Sequence, residues 1–222
     1  MNQNELAELV RQYQPDEHVL AGLSAVNLFM LVGPTGVGKS ALMKVCGLPQ
    51  VIGEASRAPR QNEVDGVDYY FKTLDEMLQE ADSGRYVQLA IGSEGDLKAT
   101  HAASFPAAGP AVFTVAASAI PTFRHLPFAS TISVVLVPPD YQTWMQRISH
   151  HHTSPDKLAI RLEEARQSYN FALQDEDSIF VFNDTLEKAA IRLHDVVAGK
   201  VPEDSEQARA VAADLLLRIT SA

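Results

Sequence analysis

Eight consecutive residues, Gly33-Pro34-Thr35-Gly36-Val37-Gly38-Lys39-Ser40, fit the spacing G-x-x-x-x-G-K-S/T. Glycines at 33, 36 and 38 let the backbone turn sharply and bring its N–H groups, those of Thr35 and Val37 included, onto phosphate oxygens. A helix opening directly after the loop adds the partial positive charge of its N-terminus. Lys39 can reach the β- and γ-phosphates of a triphosphate such as ATP, and Ser40 can present its hydroxyl to Mg²⁺. The competing reading is a glycine-rich turn with an incidental lysine. The apolar run before the loop and the helical pattern after it favour the phosphate cradle.

Further along, Arg57 and Arg60 lie three apart in a turn-like stretch, close enough to clamp one dianion between two planar forks of donors. Glu63 could orient an arginine, and Tyr69 could hydrogen-bond a phosphate while its ring packs. Taken alone, these residues fit a solvated loop of mixed charge equally well.

The elements that must position these groups follow from the apolar pattern. Residues 26–32 (VNLFMLV) form a continuous apolar run, short enough to be a buried parallel strand, and the loop breaks it before a helix over 39–46. Further buried strands are expected at 111–117, 131–137 and 179–182, and a short one at 50–52. Helices are expected at 4–13 (with Leu6, Leu9 and Val10 on one face and Pro15 after it), 74–81, 141–149, 157–173, 186–197 and 203–219. In the long one, Leu158, Leu162, Ala165 and Tyr169 recur at spacings of three and four and make one apolar stripe. Residues 53–100 are more polar and read as an excursion from the main sheet. Strands alternating with helices imply an α/β fold, a mostly parallel sheet covered on both faces.

The 222 residues suffice for one α/β domain with an insertion, or two small domains, and 46% hydrophobic with 21% charged residues is an ordinary globular balance. A formal net charge of −10 argues against nucleic acid or an anionic membrane as partner, so positive charge has to be concentrated locally. Cys46 is the only cysteine, which rules out an internal disulfide, and it is expected to pack as a small hydrophobe. The amphipathic start MNQNELAELVRQYQ does not read as a signal peptide, and no apolar run reaches bilayer length; the expectation is a cytoplasmic protein.

The loop and the arginine segment together resemble the guanylate kinase family. GPTGVGKS followed by RAPRQNEVDGVDYYF is similar to that family's donor loop and its acceptor-binding signature R-x-x-R-x-x-E-x-x-G-x-x-Y-x-F. The resemblance runs from about residue 28 to residue 197. VLVPPDYQTWMQRI is similar to the family's strand, its Pro-Pro and the helix into a lid; IRLEEAR to the helix after the lid; FVFND to the strand ending near the adenine. The resemblance implies a P-loop NTPase three-layer fold. It divides the chain into an N-terminal helical extension (1–25), a guanylate-kinase-like domain (26–200) with an acceptor-binding insertion (53–100) and a lid (149–156), and a C-terminal helix (201–222). It implies that Lys39 and Ser40 serve ATP and Mg²⁺, and that Arg57, Arg60 and Tyr69 hold the acceptor's monophosphate with Glu63 in support. Arg147 and Arg161 would flank the transferring phosphoryl group, and Asn183 would lie near the adenine. The implied reaction is ATP plus GMP giving ADP plus GDP, in a monomer or homodimer.

Four departures from the family bear on that reaction. Gln88 stands where the family carries a Glu that accepts hydrogen bonds from guanine, so one acceptor oxygen and no charge remain. Gly95-Asp96-Leu97-Lys98 replaces a Tyr-Tyr-Gly. Ala116, Ala117 and Ser118 replace acids after the third strand, and no Asp or Glu occurs between Asp96 and Asp140. The lid reads His150-His151-His152-Thr153 in place of an Arg-Gly. Three adjacent histidines point in different directions and no cysteine completes a metal set, so a mobile polar lid is preferred to a metal site. Asp175-Glu176-Asp177 reads as a solvated loop. These departures imply reduced activity. They also leave two other readings: a phosphotransferase for another phosphorylated acceptor such as a sugar bisphosphate, and a non-catalytic nucleotide-binding or interaction module. The intact loop speaks against the last.

Overall fold

The computed structural model describes residues 2–60, 63–92, 94–149 and 155–220. The apolar run becomes strand β1 (Val26–Val32), buried at every residue but Asn27. A strand buried on both faces belongs inside a covered sheet. β1 is an inner strand of a four-stranded parallel sheet with β6 (Gly109–Thr114), β7 (Ser130–Val137) and β8 (Ser178–Phe182), in the order β6-β1-β7-β8. β7 and β8 run parallel from the pair Ser133–Ser178 to Val137–Phe182. A second sheet holds β2 (Glu54–Ala55), β3 (Tyr70–Phe71), β4 (Tyr86–Ile91) and β5 (Leu97–His101), in the order β3-β2-β5-β4. β2 pairs with β3 in parallel, and the β2–β5 and β5–β4 pairs are antiparallel.

The chain divides into two compact units, residues 1–28, 49–113 and 121–130 in one and 29–48, 114–120 and 131–222 in the other. In the first unit, α1 (Gln3–Gln12) starts with a capping box in which Asn2 and Glu5 bond each other's backbone N–H. Its Leu6, with Leu9, Val10 and Tyr13, packs on Tyr86, Leu89 and Leu97 of the second sheet and on Met77 of α4 (Leu74–Asp82). Tyr13 Oη donates to the Tyr86 carbonyl at 2.7 Å and accepts from the Tyr86 N–H at 2.9 Å, so the N-terminal helical segment is bonded to β4. A short helix α2 (Glu17–Ala21), capped by Asp16, follows it.

In the second unit, α3 (Lys39–Val45) follows the glycine loop, and α6 (Tyr141–Ser149), α7 (Pro155–Gln174), α8 (Leu186–Val197) and α9 (Ser205–Thr220) complete the helices. The stripe on α7 is buried at Ala165, Tyr169 and Ala172 and partly buried at Leu158 and Leu162. It shares a core with Ala208, Ala212 and Leu215 of α9 and with Trp144 and Ile148 of α6. Alanines on both helices allow close approach.

Three expectations need correction. The strand expected at 50–52 is a single bridge, Gln50 to Val112, and regular pairing begins only at Glu54. The strand expected at 111–117 runs from Gly109 to Thr114; residues 117–119 make a 3-10 turn into α5 (Ile120–Arg124), where Pro121 suits a helix start and cannot serve a ladder. β4 and β5 fall inside the polar stretch; a register shift between Tyr86 and Gln88 breaks the two-residue alternation that would reveal them. Among the described residues no helix is long and apolar enough to cross a membrane.

The Tyr169 hydroxyl is fully buried without a hydrogen-bond partner, and burial pushes its pKa far above the ordinary value. An unpaired buried hydroxyl costs about 1–3 kcal/mol. Tyr169→Phe is therefore expected to hold or raise stability, by up to about 2 kcal/mol, in urea unfolding. A loss of more than about 1 kcal/mol would reveal a partner for the hydroxyl.

Candidate functional site

The glycine loop joins the end of β1 to α3, whose first residue is Lys39 and whose first turn carries no side-chain cap. Gly38 has φ 99°, and a Cβ there would strike the side-chain nitrogen of Asn183. Gly36 has φ 82°, and its Cβ would lie 2.9 Å from Ile148 Cγ1 of α6. Both positions need the left-handed backbone and the missing side chain. Gly33 (φ 142°) lies against the Leu136 carbonyl of β7.

The loop is held from three elements. Asn183, buried at the end of β8, takes its N–H to Val137 O at 2.7 Å and its Nδ2 to Val37 O at 2.7 Å. Trp144 Nε1 of α6 donates to Thr35 O at 3.0 Å. Thr35 Oγ1 donates to Glu164 Oε2 of α7 at 3.3 Å. Arg147 donates to the carbonyls of Asn183 at 3.0 Å and Asp184 at 3.4 Å. Asn183, expected beside a base, and Arg147, expected beside a reacting phosphoryl group, also brace the loop and the strand end. Both are committed to loop and strand backbone, because a buried amide and a partly buried guanidinium must satisfy their donors. Arg161 lies on α7, three residues before Glu164.

Lys39 Nζ folds back onto the loop, donating to Gly33 O at 2.6 Å and Pro34 O at 2.9 Å. Burial pushes its pKa down to about 8, and the charge of Glu164 opposes that shift. Ser40, next on α3, is exposed. A single hydroxyl beside phosphate oxygens and water is a donor set that suits Mg²⁺. No cluster of three or more His, Cys, Asp or Glu able to hold a metal occurs among the described residues, and His150-His151-His152 lie outside them.

The first unit carries the arginine segment. Arg57 makes a two-pronged pair with Glu63, Nη1–Oε2 at 2.6 Å and Nη2–Oε1 at 2.8 Å, and its guanidinium lies 5.6 Å from the Tyr69 ring centroid and 5.5 Å from that of Phe71. The Arg57 hydrogen bonds hold the Glu63 carboxyl down to about 2. Glu63 also accepts the Arg60 backbone N–H at 2.8 Å, which fixes the turn between the two arginines. The Arg60 fork rests on Glu94 Oε1, at 3.1 Å from Nε and 2.7 Å from Nη2. Tyr69 is partly buried, and burial raises its phenol pKa. Arg57 Nε is buried with no hydrogen-bond partner; Asp96 Oδ2 stands 3.7 Å away, buried and ion-paired with Lys98 Nζ at 3.1 Å. Gln88, on β4 opposite Thr100, folds its amide onto the Leu89 carbonyl at 2.8 Å.

The structure thus brings Arg57, Arg60, Glu63 and Tyr69 together in one unit, and Gly33, Thr35, Gly36, Val37, Gly38, Lys39, Ser40, Arg147 and Asn183 in the other. Sequence reasoning missed Glu94, Asp96 and Lys98 beside the arginines, and Trp144 and Glu164 beside the loop. Glu164 carried a weak signal, lying one helical turn after Arg161 on the same face. The others meet their partners only through the fold.

Comparison with known proteins points one way. The family model for guanylate kinase matches residues 25–200. A guanylate kinase of Corynebacterium glutamicum is 31% identical over 185 residues, 78% of this chain and 95% of that protein. One of Mycolicibacterium paratuberculosis is 31% identical over 186 residues, 78% of this chain and 82% of that protein. The crystal structure of guanylate kinase from Anaplasma phagocytophilum shares the fold with a TM-score of 0.59 at 15% identity, covering 82% of this chain and 89% of that one. By sequence and by fold, the chain belongs to the guanylate kinase family.

Proposed function

We propose that this chain transfers the γ-phosphoryl group of ATP to the phosphate of a nucleoside monophosphate, GMP foremost, giving ADP and GDP. Membership of the family makes it a nucleotide phosphotransferase. The observation that carries the acceptor reading is the arginine clamp: a buried Arg57 Nε without a hydrogen-bond acceptor, in a guanidinium gripped by both oxygens of Glu63 and flanked by the rings of Tyr69 and Phe71. A buried donor left unpaired is costly unless a ligand oxygen completes it. Arg57 and Arg60 would hold the acceptor phosphate, Tyr69 would border it, and Glu63 would fix both arginines. An oxygen of that phosphate attacks the γ-phosphorus while its bond to the β-bridging oxygen breaks and ADP leaves.

On the donor side the loop amides and Lys39 would cradle the phosphates, with Lys39 leaving the Gly33 and Pro34 carbonyls for phosphate oxygens. Ser40 would hold Mg²⁺ together with the phosphates, and the ion would neutralise charge on their oxygens. Arg147 and Asn183 act by fixing the loop's shape, and Arg161, on α7, is the arginine that the family resemblance assigns to the transferring group. Gln88 would face the base.

ADP release with GMP, dGMP, AMP and ribose 1,5-bisphosphate as acceptors tests the reading; turnover with none of them sinks it. Lys39→Ala is expected to lower kcat by about 10²–10³-fold and to abolish the rise in Tm that ATP with Mg²⁺ gives wild type. Gln88→Glu is expected to strengthen GMP binding more than AMP binding, since a charged acceptor contributes about 1.5–3 kcal/mol and a neutral one about 1. Equal effects on the two nucleotides would remove Gln88 from the base site.

The Arg57–Glu63 pair has a pH signature. The Glu63 pKa falls from 4.5 to about 2 on folding, so between those values the unfolded state binds more protons. The pair's contribution to stability is full above about 4.5 and is lost as pH falls toward 2. The Tm of wild type is expected to drop more steeply between pH 5 and pH 3 than that of Glu63→Gln. Parallel Tm curves would show that the pair adds nothing to stability.

A further inference from the structure

Lys98 has no role in the reaction as derived above, yet its surroundings mark it. On β5 it pairs with Ala55 of β2 on one side and Ala90 of β4 on the other. Its neighbours Leu97 and Ala99 face the core beneath the second sheet, so Lys98 leaves by the opposite face. There Nζ stands 3.9 Å from the centroid of the Tyr69 ring and 3.1 Å from Asp96 Oδ2. Arg57 converges on the same two groups, with Nε 3.7 Å from that oxygen and the guanidinium 5.6 Å from that ring. Two cations thus share one carboxylate oxygen and one aromatic ring.

Glu63 and Glu94 are taken up by the two arginines, so Asp96 is the carboxylate left to Lys98. Burial lowers the Lys98 pKa; Asp96 opposes it, and Arg57 and Arg60 push it down again. The Asp96 side chain is 6% exposed and that of Arg57 9%; Arg57 Nε makes no hydrogen bond, and Asp96 Oδ2 meets the two cations at 3.1 and 3.7 Å. The carboxylate holds both cations in place while leaving them donors to spare.

We infer that Lys98 is a third cationic ligand of the acceptor's phosphate, beside Arg57 and Arg60, with Asp96 as the residue that positions it. The inference rests on the clamp's being the acceptor site. A lysine serving only to neutralise Asp96 would affect stability and leave phosphate recognition alone, and that difference is measurable.

The experiment is calorimetric titration of wild type, Lys98→Met, Lys98→Arg and the double variant Asp96→Asn/Lys98→Met with GMP, guanosine and ATP–Mg²⁺. The double variant removes both charges of the pair and guards against misfolding from an orphaned Asp96; ATP–Mg²⁺ affinity reports that the protein is folded. Lys98→Met and the double variant are expected to bind GMP about tenfold or more weakly with guanosine unchanged, because a charge-assisted bond to phosphate is lost. Lys98→Arg should recover most of the GMP affinity. Unchanged GMP binding, or equal losses for GMP and guanosine, would overturn the inference. A wild type that takes up ATP–Mg²⁺ but ignores GMP would count against the acceptor reading instead. Ribose 5-phosphate then carries the same comparison, and a loss in the Lys98 variants supports the inference while no loss overturns it.

Discussion

Taking a charged group out of water costs several kcal/mol unless an opposite charge goes with it. A chain of net charge −10 that gathers cations at two places has to bring carboxylates there as well. Glu63 grips Arg57, Glu94 rests on Arg60, Asp96 lies between Arg57 and Lys98, and the charge of Glu164 sustains that of Lys39. These pairs are not equal. Glu63 is mostly buried and binds with both oxygens, so it sets geometry; Glu94 and Arg60 are both about half exposed and screened by water, so their contact is easily exchanged for a ligand's. The built part of the clamp is therefore the Arg57 half, and the adjustable part is the Arg60 half.

The donor loop shows the same logic with backbone groups in place of charges. Its carbonyls at Thr35 and Val37 accept from Trp144 and Asn183, and Arg147 braces the Asn183 and Asp184 carbonyls in turn. With these carbonyls tied down, the loop's backbone dipoles are held in one arrangement, the condition under which preorganised electrostatics gains its effect. The loop's own glycines make that grip possible, since Ile148 and Asn183 occupy the space that side chains at Gly36 and Gly38 would fill.

How much of this was legible in the chain depended on range. The glycine loop and the Arg57–Glu63 turn are local, and their spacing alone brings the partners together. β1, β7 and α8 were readable because their apolar patterns are long and unbroken. β4 and β5 were not, since a register shift scrambles the alternation in a stretch already rich in polar residues. The bracing contacts of Asn183 and Arg147 were hidden for a different reason. Their residue types suit nucleotide contact, and only the fold reveals that Val37 and Asp184 carbonyls claim them first. Lys98 carried no signal because Tyr69 meets it only once β5 lies beside β2.

The stretch matched by the family model ends at residue 200, while α9 begins at Ser205. Ser205 Oγ accepts the Phe180 N–H at 3.2 Å, Arg209 donates to the Leu173 carbonyl at 2.6 Å, and Ala208, Ala212 and Leu215 lie in one core with Tyr169 and Phe180. Homology and cohesion therefore draw different borders. A fragment cut at the homology border would leave the α7 stripe and one side of β8 bare, an apolar patch of the kind that drives self-association. In a cell such a fragment would be handled by chaperones and proteases as unfinished protein, and its inactivity in a test tube would report clumping rather than chemistry.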